Sequence, residues 1–478
     1  MTDDFAPDGQ LAKAIPGFKP REPQRQMAVA VTQAIEKGQP LVVEAGTGTG
    51  KTYAYLAPAL RAKKKVIIST GSKALQDQLY SRDLPTVSKA LKYTGNVALL
   101  KGRSNYLCLE RLEQQALAGG DLPVQILSDV ILLRSWSNQT VDGDISTCVS
   151  VAEDSQAWPL VTSTNDNCLG SDCPMYKDCF VVKARKKAMD ADVVVVNHHL
   201  FLADMVVKES GFGELIPEAD VMIFDEAHQL PDIASQYSAT LSVNDDLHHF
   251  TSRLGIEQAE SLLLPSPFDY SRQALLCVPR NLPQTNQPGS ARQLAAMLRP
   301  IIEANNGRCF MLCTSHAMMR DLAEQFRATM TLPVLLQGET SKGQLLQQFV
   351  SAGNALLVAT SSFWEGVDVR GDTLSLVIID KLPFTSPDDP LLKARMEDCR
   401  LRGGDPFDEV QLPDAVITLK QGVGRLIRDA DDRGVLVICD NRLVMRPYGA
   451  TFLASLPPAP RTRDIARAVR FLAIPSSR

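Results

Sequence analysis

The sequence predicts an α/β protein with two parallel-sheet domains and a cysteine-bearing insert in the first. Three observations lead to this prediction. Short apolar runs recur along the chain, helix-period stretches separate several of them, and a glycine-rich loop follows the first run directly. Strands that alternate with helices form parallel sheets covered on both faces, and such sheets bind ligands at the carboxyl ends of their strands.

The runs that predict strands lie on both sides of the cysteine-bearing segment. They are residues 41–43, 66–69, 193–196, 221–224, 309–313, 355–359, 374–379 and 435–438. Helical periodicity predicts helices at 54–62 and 318–330. We place the first domain at 1–100 and 185–241, the insert at 101–184, and the second domain with the C-terminal tail at 242–478.

A glycine-rich loop, Ala-Gly-Thr-Gly-Thr-Gly-Lys-Thr, follows a strand that we expect to be buried. Its glycines let backbone N–H groups close around phosphate oxygens, and the start of the next helix adds partial positive charge. Lys51 can then reach the β- and γ-phosphates, and Thr52 can ligate Mg²⁺. The sequence therefore predicts a nucleoside triphosphate site at Ala45, Gly46, Thr47, Gly48, Thr49, Gly50, Lys51 and Thr52.

An acidic motif, Asp225-Glu226-Ala227-His228, follows the strand at 221–224. Mg²⁺ prefers carboxylate and phosphate oxygens, so we expect Asp225 to hold the ion. Glu226 would orient or deprotonate the attacking water, and His228 would relay the nucleotide state to the rest of the protein. Upstream of the glycine-rich loop, Gln24 is predicted to read the adenine edge, because an amide both donates and accepts hydrogen bonds.

Two segments in the second half complete the predicted nucleotide site. The first begins at Gln421 and carries Arg425 and Arg428, which are three residues apart and therefore predicted on one helix face. Arginine matches phosphate geometry, so both would reach the γ-phosphate as arginine fingers when the two domains close. In the second segment, 360–368, Glu365 and Asp368 are placed to couple the nucleotide and polymer sites.

Four cysteines in the predicted insert form a separate constellation: Cys108, Cys168, Cys173 and Cys179. Four thiolates suit an iron–sulfur cluster or zinc. Structural zinc more often uses two closely spaced pairs, whereas the last three cysteines here have the spacing C-x4-C-x5-C. Cys148 is a competing ligand that spacing does not exclude, and the other five cysteines are predicted to be core residues.

The composition is that of an ordinary globular protein: 478 residues, 45% hydrophobic and 22% charged. With a net charge of −5, any contact with a polyanion must use local basic patches such as 63–65 and 183–187. No apolar run approaches the roughly 18 residues needed to span a membrane. No basic region followed by an apolar stretch opens the chain, so a cytoplasmic protein with free thiols is predicted.

Nearly the whole chain resembles the DinG/XPD-like branch of superfamily 2, the iron–sulfur DNA helicases. The marks of this resemblance are the glycine-rich loop, Asp-Glu-Ala-His, and the segments 197–200, 238–240, 364–366, 381–384 and 421–428. It implies two RecA-like motor domains, and ATP, Mg²⁺ and a four-iron four-sulfur cluster on Cys108, Cys168, Cys173 and Cys179. It also implies a DEAH-box ATPase that moves 5′-to-3′ on single-stranded DNA and unwinds forked duplexes in repair or replication.

Two other interpretations of the same motifs stay open. One is a DNA-stimulated ATPase or translocase that does not unwind. The other is a cluster-bearing DNA-binding scaffold whose ATP site is regulatory. The second disagrees with the presence of a glutamate and two arginines suited to hydrolysis.

The sequence departs from the family between the acidic motif and Ser238-Ala239-Thr240, where only nine residues intervene. A helix and a strand at this point need roughly 15 residues or more. The family inserts a large helical arch domain here. We therefore expect that this chain lacks the arch and the strand leading into Ser238, which would weaken strand separation more than ATP hydrolysis.

The tail, 461–478, carries an apolar helix face formed by Ile465, Ala468, Val469 and Leu472. Arginines border this face. It predicts either packing on its own domain or docking of a partner, and the resemblance suggests a subunit of the replication machinery.

Overall fold

The computed structural model describes residues 3–46, 48–117, 122–209, 214–230, 233, 260–284, 287–360, 363, 367, 369 and 371–473. The chain divides into two compact units, one formed by Met1–Glu44 and Gly50–Leu263 and the other by Ala45–Thr49 and Leu264–Arg478. Both are α/β, and their larger sheets are parallel throughout, which confirms the predicted fold class.

The strands, in chain order, are β1 Leu41–Ala45, β2 Val66–Thr70, β3 Val97–Leu99, β4 Val193–Asn197, β5 Val221–Phe224, β6 Glu260–Leu264, β7 Ala274–Cys277, β8 Cys309–Cys313, β9 Val334–Leu336, β10 Leu356–Thr360, β11 Leu376–Ile379, β12 Gly434–Ile438 and β13 Arg461–Thr462. The helices are α1 Gln10–Ala14, α2 Glu22–Lys37, α3 Lys51–Arg61, α4 Lys73–Gln78, α5 Leu84–Leu91, α6 Leu109–Leu117, α7 Val124–Ser137, α8 Trp158–Val161, α9 Phe180–Asp190, α10 His198–Glu209, α11 Tyr270–Gln273, α12 Ser290–Ala304, α13 His316–Thr329, α14 Lys342–Ala352, α15 Pro390–Leu401, α16 Leu412–Val423, α17 Arg442–Met445, α18 Gly449–Ser455 and α19 Ile465–Ala473.

The main sheet of the first unit has four strands in the order β3-β4-β2-β5. β2 and β4 are buried along their whole length, as expected for central strands of a sheet covered on both faces. In the register, Ser69 of β2 lies opposite Val196 of β4 and Phe224 of β5. The carboxyl ends of these three strands therefore lie side by side, and the residues that follow them can interact.

The strand before the glycine-rich loop differs from the prediction that it is buried. β1 pairs with β6 in a separate two-stranded sheet, and Val42 is 60% exposed. Among the described strands, β5 ends the four-stranded sheet, with Met222 42% exposed. A strand with a single neighbour and no covering layer on one side alternates between covered and exposed residues, which is the pattern of β1.

The cysteine-bearing segment between β3 and α9 is mainly helical and has its own apolar cluster. Leu107, Leu133, Val161 and Phe180 are buried there, with Trp158 packed edge-to-face on Trp136. The segment is tied to α4 by an ion-pair group in which the buried Lys101 contacts the buried Asp144 and the partly exposed Asp77.

The second unit is built on a seven-stranded sheet in the order β13-β7-β12-β11-β8-β10-β9. Its two faces are covered by separate apolar clusters, one around Phe310 and Phe349 and the other around Leu298 and Phe326. The predicted apolar face of the tail lies on the second cluster, where Ala468 is fully buried. None of the helices within the described ranges combines the length and apolar character needed to cross a membrane.

Candidate functional site

The start of α3 and the turn after β5 bring three predicted residues together. Lys51 is the first residue of α3, and its Nζ lies 2.8 Å from Glu226 Oε1 and 3.5 Å from Asp225 Oδ1. One turn further along α3, Tyr55 donates its hydroxyl to Asp225 Oδ2 at 3.0 Å. Burial, with the negative charge of Asp225, raises the pKa of Tyr55 well above its ordinary value, so this hydroxyl stays protonated and remains a donor.

The backbone at Glu226 is in the left-handed region, with φ 56° and ψ 41°. A non-glycine residue pays roughly 1–2 kcal/mol for this conformation, and such strain persists only where neighbouring contacts hold it. Here the Glu226 N–H donates to Asp225 Oδ1 at 2.9 Å, and the Asp225 N–H donates to Ser69 O at 2.9 Å. The turn is therefore fixed to β2, with both carboxylates facing Lys51.

His228 lies next to the acidic pair. Its Nδ1 is 3.6 Å from Glu226 Oε2. Burial lowers the pKa of His228 below its ordinary value, and the positive charge of Lys51 acts in the same direction, so the ring is neutral at pH 7. The structure thus groups Lys51, Asp225, Glu226 and His228, as the motifs predict.

Gln24, on α2, contacts the end of the glycine-rich loop. Its Nε2 donates to Gly50 O at 3.0 Å, and a Cβ added at Gly50 would lie 2.3 Å from this nitrogen. Gly50 has φ 76°, a conformation that also favours glycine. Gln24 Oε1 is buried and has no hydrogen-bond partner within the described ranges. A buried acceptor of this kind suits an amino-group donor such as that of adenine.

The loop residues that belong to the second unit pack tightly against the segment after β6. Gly46 N–H donates to Leu264 O at 2.8 Å, and a Cβ at Gly46 would lie 2.4 Å from Ser266 N. At Gly48, with φ 79°, a Cβ would overlap the ring of Phe268. The Gly46 N–H, which is predicted to face phosphate, is therefore bonded to a protein carbonyl. Gly46 and Gly48 allow neighbouring chain segments to pack closely because they have no side chain.

Two other loop residues complete this part of the site. The Thr49 hydroxyl donates to Gly46 O at 2.7 Å, which closes the loop on itself, and Ala45 ends β1. Thr52, the second residue of α3, hydrogen-bonds to Tyr55, so the two predicted Mg²⁺ ligands, Thr52 and Asp225, share Tyr55 as a neighbour.

The arginine-bearing segment differs from the prediction of a continuous helix. α16 ends at Val423, so Gln421 lies on the helix, whereas Arg425 lies on the turn that follows and Arg428 lies in the irregular chain beyond that turn. Glycines at 422 and 424 weaken the last turn of the helix. Arg425 Nη1 donates to Val367 O at 2.9 Å, and the N–H of Arg428 donates to Asp432 Oδ2 at 2.8 Å. The Arg428 N–H thus bonds to a side chain further along the chain instead of to a carbonyl one helical turn before it.

The cysteine constellation is only partly assembled. All ten cysteines are free thiols. Burial raises the pKa of the Cys108 thiol above its ordinary value, and the nearby thiols of Cys173 and Cys179 act in the same direction. Arg185 is close enough to Cys168 and Cys179 for their charges to raise its pKa, although burial has the larger, opposite effect. Within the described ranges, no group of three or more His, Cys, Asp or Glu side chains is arranged as a metal site.

The donor set nevertheless fits a group bound by four thiolates. Cys108, Cys168, Cys173 and Cys179 all lie on one segment, and none is fully buried. The competing Cys148 is instead buried in the apolar cluster of the insert, where its Sγ lies 3.3 Å from Ser150 Oγ. Packing therefore separates Cys148 from the other four.

Several predicted residues lie outside the described ranges: Thr47, Glu365, Asp368, Trp364 and Ser238-Ala239-Thr240. Three contacts of the acidic turn were not anticipated from the sequence: Tyr55 donates to Asp225, His198 Nε2 lies 2.8 Å from Asp225 O, and the Gln229 N–H donates to Glu226 O. The position of Tyr55, four residues after Lys51 on a helix, is a signal that could have indicated one of them.

Two family models match the chain. One, described as a DEAD/DEAH box helicase, covers residues 23–122, and the other, described as a helicase C-terminal domain, covers residues 298–459. Among solved structures, an XPD helicase superposes with a TM-score of 0.55 at 16% identity, covering 93% of this chain and 100% of the other. This likeness shows the fold.

Curated relatives are similar over the whole length. The ATP-dependent DNA helicase YoaA of Escherichia coli is 75% identical, with 100% of both chains covered. The ATP-dependent helicase DinG of Mycobacterium tuberculosis is 30% identical, with 94% of each chain covered. The alignment with the Escherichia coli protein runs over 636 positions, against 478 residues in this chain, a difference of 158.

Proposed function

Because the chain belongs to the DinG/XPD-like family of superfamily 2, it is an ATP-dependent DNA helicase, and we propose that it moves 5′-to-3′ along single-stranded DNA and unwinds forked duplexes. The observation that carries the proposal is the grouping of Lys51 with Asp225 and Glu226 at the carboxyl ends of parallel strands. This is the arrangement that phosphoryl transfer to water requires.

We assign the nucleotide contacts residue by residue. Residues 45–50 surround the phosphates, and Lys51 contacts the β- and γ-phosphates. Thr52 and Asp225 hold Mg²⁺, Glu226 orients or deprotonates the attacking water, and His228 relays the nucleotide state. Gln24 binds adenine through its unpartnered Oε1. Glu365 and Asp368 couple the nucleotide and polymer sites.

Binding of a triphosphate requires two local changes in this scheme. The Lys51 ammonium must exchange the Glu226 carboxylate for phosphate oxygens, which frees Glu226 to act on water. The Gly46 N–H must exchange Leu264 O for a phosphate oxygen. The first change exchanges one charge-assisted bond for others, and the second replaces a neutral hydrogen bond by a charge-assisted one, so the bonds lost are compensated.

The second domain supplies the opposite side of the nucleotide site in our proposal. Arg425 and Arg428 act as arginine fingers, and Gln421 contacts the γ-phosphate region. Their position beyond the end of α16, rather than on a rigid helix, allows the guanidinium groups to reorient when the domains close. Closure on ATP binding and reopening after hydrolysis then moves single-stranded DNA stepwise across the two domains.

The insert, which we place at 101–184, holds a four-iron four-sulfur cluster through Cys108, Cys168, Cys173 and Cys179. When bound, the cluster supplies a cross-link between distant chain segments, and the insert can then serve as a rigid wedge at the fork. Arg185 lies close enough to Cys168 and Cys179 for their charges to act on its guanidinium, so it is a cationic neighbour of the proposed cluster. Ten free thiols also support a cytoplasmic location.

A translocase without unwinding is the second candidate function, and one observation favours it. The alignment with the Escherichia coli relative has 158 more positions than this chain has residues. This chain has nine residues at the point where the family has an arch domain. Both facts support loss of the arch from this chain. The residues that hydrolyse ATP lie elsewhere, so ATPase activity can persist where strand separation is weakened.

Strand displacement on 5′-tailed and 3′-tailed duplexes, measured beside DNA-stimulated ATPase activity, separates these candidates. Displacement of only the 5′-tailed substrate supports the helicase with the stated direction. The translocase is supported if this chain hydrolyses ATP without displacing a strand. The Escherichia coli relative must displace the strand under the same conditions. Full biological activity of Lys51→Ala would instead favour a DNA-binding scaffold.

The C-terminal region is a further proposed interface, for an acidic surface of a replication-machinery subunit. The apolar face of α19 already packs on its own domain, so docking must use another surface. A cleft of about 720 Å³ lies beside it, lined by Arg280, Arg446, Arg461, Arg463 and Arg467 over an apolar floor. Arg461→Gln with Arg467→Gln should abolish co-elution with that subunit. Arg470→Gln, on the same helix but outside the cleft, should leave it intact.

A further inference from the structure

His198 links the end of β2 to the first residue after β5. It follows β4 directly and is fully buried. Its Nδ1 lies 2.7 Å from the Ser69 hydroxyl, and its Nε2 lies 2.8 Å from the backbone oxygen of Asp225. One side chain thus contacts the carboxyl end of β2 and the first residue of the acidic motif.

The partners of His198 fix its tautomer. A backbone carbonyl can only accept, so Nε2 carries the proton and donates it to Asp225 O. Nδ1 must then accept a hydrogen bond from the Ser69 hydroxyl. Burial lowers the pKa of His198 to about 4, so the ring is neutral at pH 7 and holds this arrangement. Each polar atom of the link has a single role, which makes the link directional and rigid.

A second contact joins the same two segments. A Cβ added at Gly71 would lie 2.2 Å from Gln229 Oε1, so the Gln229 side chain rests against the backbone of the turn after β2. Gln229 is itself tied to the acidic turn, because its N–H donates to Glu226 O at 3.0 Å. The turn 69–72 therefore touches both ends of the segment 225–229.

The same turn leads into a surface that can meet a polyanion. Ser72 caps α4 by accepting from the Leu75 N–H, and Lys73, the next residue, is exposed. No carboxylate among the described side chains lies within ion-pair distance of the Lys73 ammonium. A phosphate group that contacts Lys73 would thus bind next to a turn that also contacts His198, Gln229 and the Asp225 N–H.

We propose that His198, together with the Gly71–Gln229 contact, is a positioning link through which nucleic acid bound at the turn 69–73 sets the orientation of Asp225 and Glu226. His198 is not a catalytic residue, since it acts through the Asp225 backbone. The proposal rests on the proposed function, because it explains how single-stranded DNA stimulates ATP hydrolysis in this chain.

The test compares ATP hydrolysis with and without single-stranded DNA in His198→Phe, Ser69→Ala and Gln229→Ala. His198→Phe keeps a ring of similar size but loses both polar contacts. We expect the ratio of stimulated to basal turnover to fall about tenfold, within the range typical of coupling between sites. The KM for ATP and the affinity for DNA should stay close to wild type. His198→Gln, which keeps one donor and one acceptor, should retain more of the stimulation than His198→Phe.

Ser88→Ala is the matched control, because the Ser88 hydroxyl is buried without a hydrogen-bond partner in the described part of the chain. If His198→Phe fails to fold, Ser69→Ala and Gln229→Ala carry the test. Equal losses of basal and stimulated turnover, or an unchanged ratio in all three variants, would overturn the proposal. Absence of stimulation in the wild type would instead refute the proposed function.

Discussion

The ammonium of Lys101 lies 2.6 Å from Asp144 Oδ2 and 2.7 Å from Asp77 Oδ1, and its side chain is 1% exposed. Asp144 belongs to the predicted insert and Asp77 to α4, so this buried cation joins the insert to α4 of the first unit. The Ser146 hydroxyl accepts a further bond from Lys101 at 3.0 Å. Removing one partner of a buried pair is costly because the remaining charges lose their compensation.

Lys101→Met should therefore destabilise the first unit by about 3–5 kcal/mol, because two carboxylates lose their shared cation. Urea unfolding followed by circular dichroism measures this loss. Lys183→Met is the matched control, since the Lys183–Asp178 pair spans 3.6 Å with both side chains more than half exposed. That control should change stability by less than about 1 kcal/mol. Similar losses in the two variants would contradict the structural role of Lys101.

Glu226→Gln should lower the turnover number of ATP hydrolysis by roughly 10²- to 10⁴-fold, because an amide cannot take a proton from water. Nucleotide affinity should hold or improve, since Lys51 loses its competing carboxylate. Steady-state kinetics and fluorescent-nucleotide titration separate the two effects. Turnover near that of wild type would exclude Glu226 as the residue that acts on water.

Substitution of any one of Cys108, Cys168, Cys173 and Cys179 by serine should lower iron and sulfide content and the absorbance typical of a cluster. The reason is that a four-thiolate site loses one of its ligands. Iron and sulfide analysis after anaerobic purification provides the measurement. Cys148→Ser is the control, and it should keep the wild-type iron content because Cys148 lies in the apolar cluster. Iron loss in Cys148→Ser alone would reassign the ligand set.

Asp380 predicts a specific pH dependence of stability. Burial raises the pKa of this carboxyl from its ordinary value to about 6, against the opposing effect of the Thr314 N–H, which donates to it at 3.0 Å. Because the folded-state pKa is higher than the unfolded one, the stabilisation is present below about pH 4 and is lost as the pH rises to about 6. Relative to Asp380→Asn, wild type should lose about 3 kcal/mol over this window.

The measurement is urea unfolding of wild type and Asp380→Asn at several pH values between 4 and 7. Asparagine keeps an oxygen that can accept from Thr314 but does not titrate, so the difference between the two proteins isolates Asp380. A difference that is constant over this range would show that Asp380 has an ordinary pKa in the folded protein.

The exposure of β1 predicts rapid hydrogen exchange at its backbone amides. Val42 is 60% exposed, and β1 has β6 as its hydrogen-bonded neighbour in a two-stranded sheet. Exchange at residues 42–44 should be faster than at 194–196 in β4 by at least about tenfold, because isolated two-strand ribbons open readily. In the longer Escherichia coli relative, both segments should be protected. Equal protection in this chain would place β1 in a stable central sheet.

The sequence predicted those parts of the site that depend on strand ends. The strand at 221–224 has the predicted bounds, and the residues after it meet Lys51 because parallel strands present their carboxyl ends at one edge. Local spacing could not predict His198 as a partner of Asp225, because this contact depends on how β4 lies beside β2 and β5. The position of Tyr55, one helical turn after Lys51, was a usable signal for its contact with Asp225.

Two local predictions were wrong for identifiable reasons. The segment at Arg425 continued a helical pattern in sequence, but the glycines on both sides of Val423 and the bonds to Val367 and Asp432 favour a turn. The run at 41–43 has the composition of a central strand, but burial depends on neighbours supplied by distant segments. Apolar composition alone therefore could not indicate that Val42 is exposed.

The open side of β5 has a practical consequence for handling this protein. Among the described strands, β5 is paired on one side, with β2, and it forms an edge of the sheet. Its exposed Met222 adds an apolar side chain at this edge. Unpaired backbone amides and carbonyls in a row recruit further strands from other molecules. In concentrated solution the protein should consequently oligomerise through this sheet edge, and Met222→Lys should reduce this association.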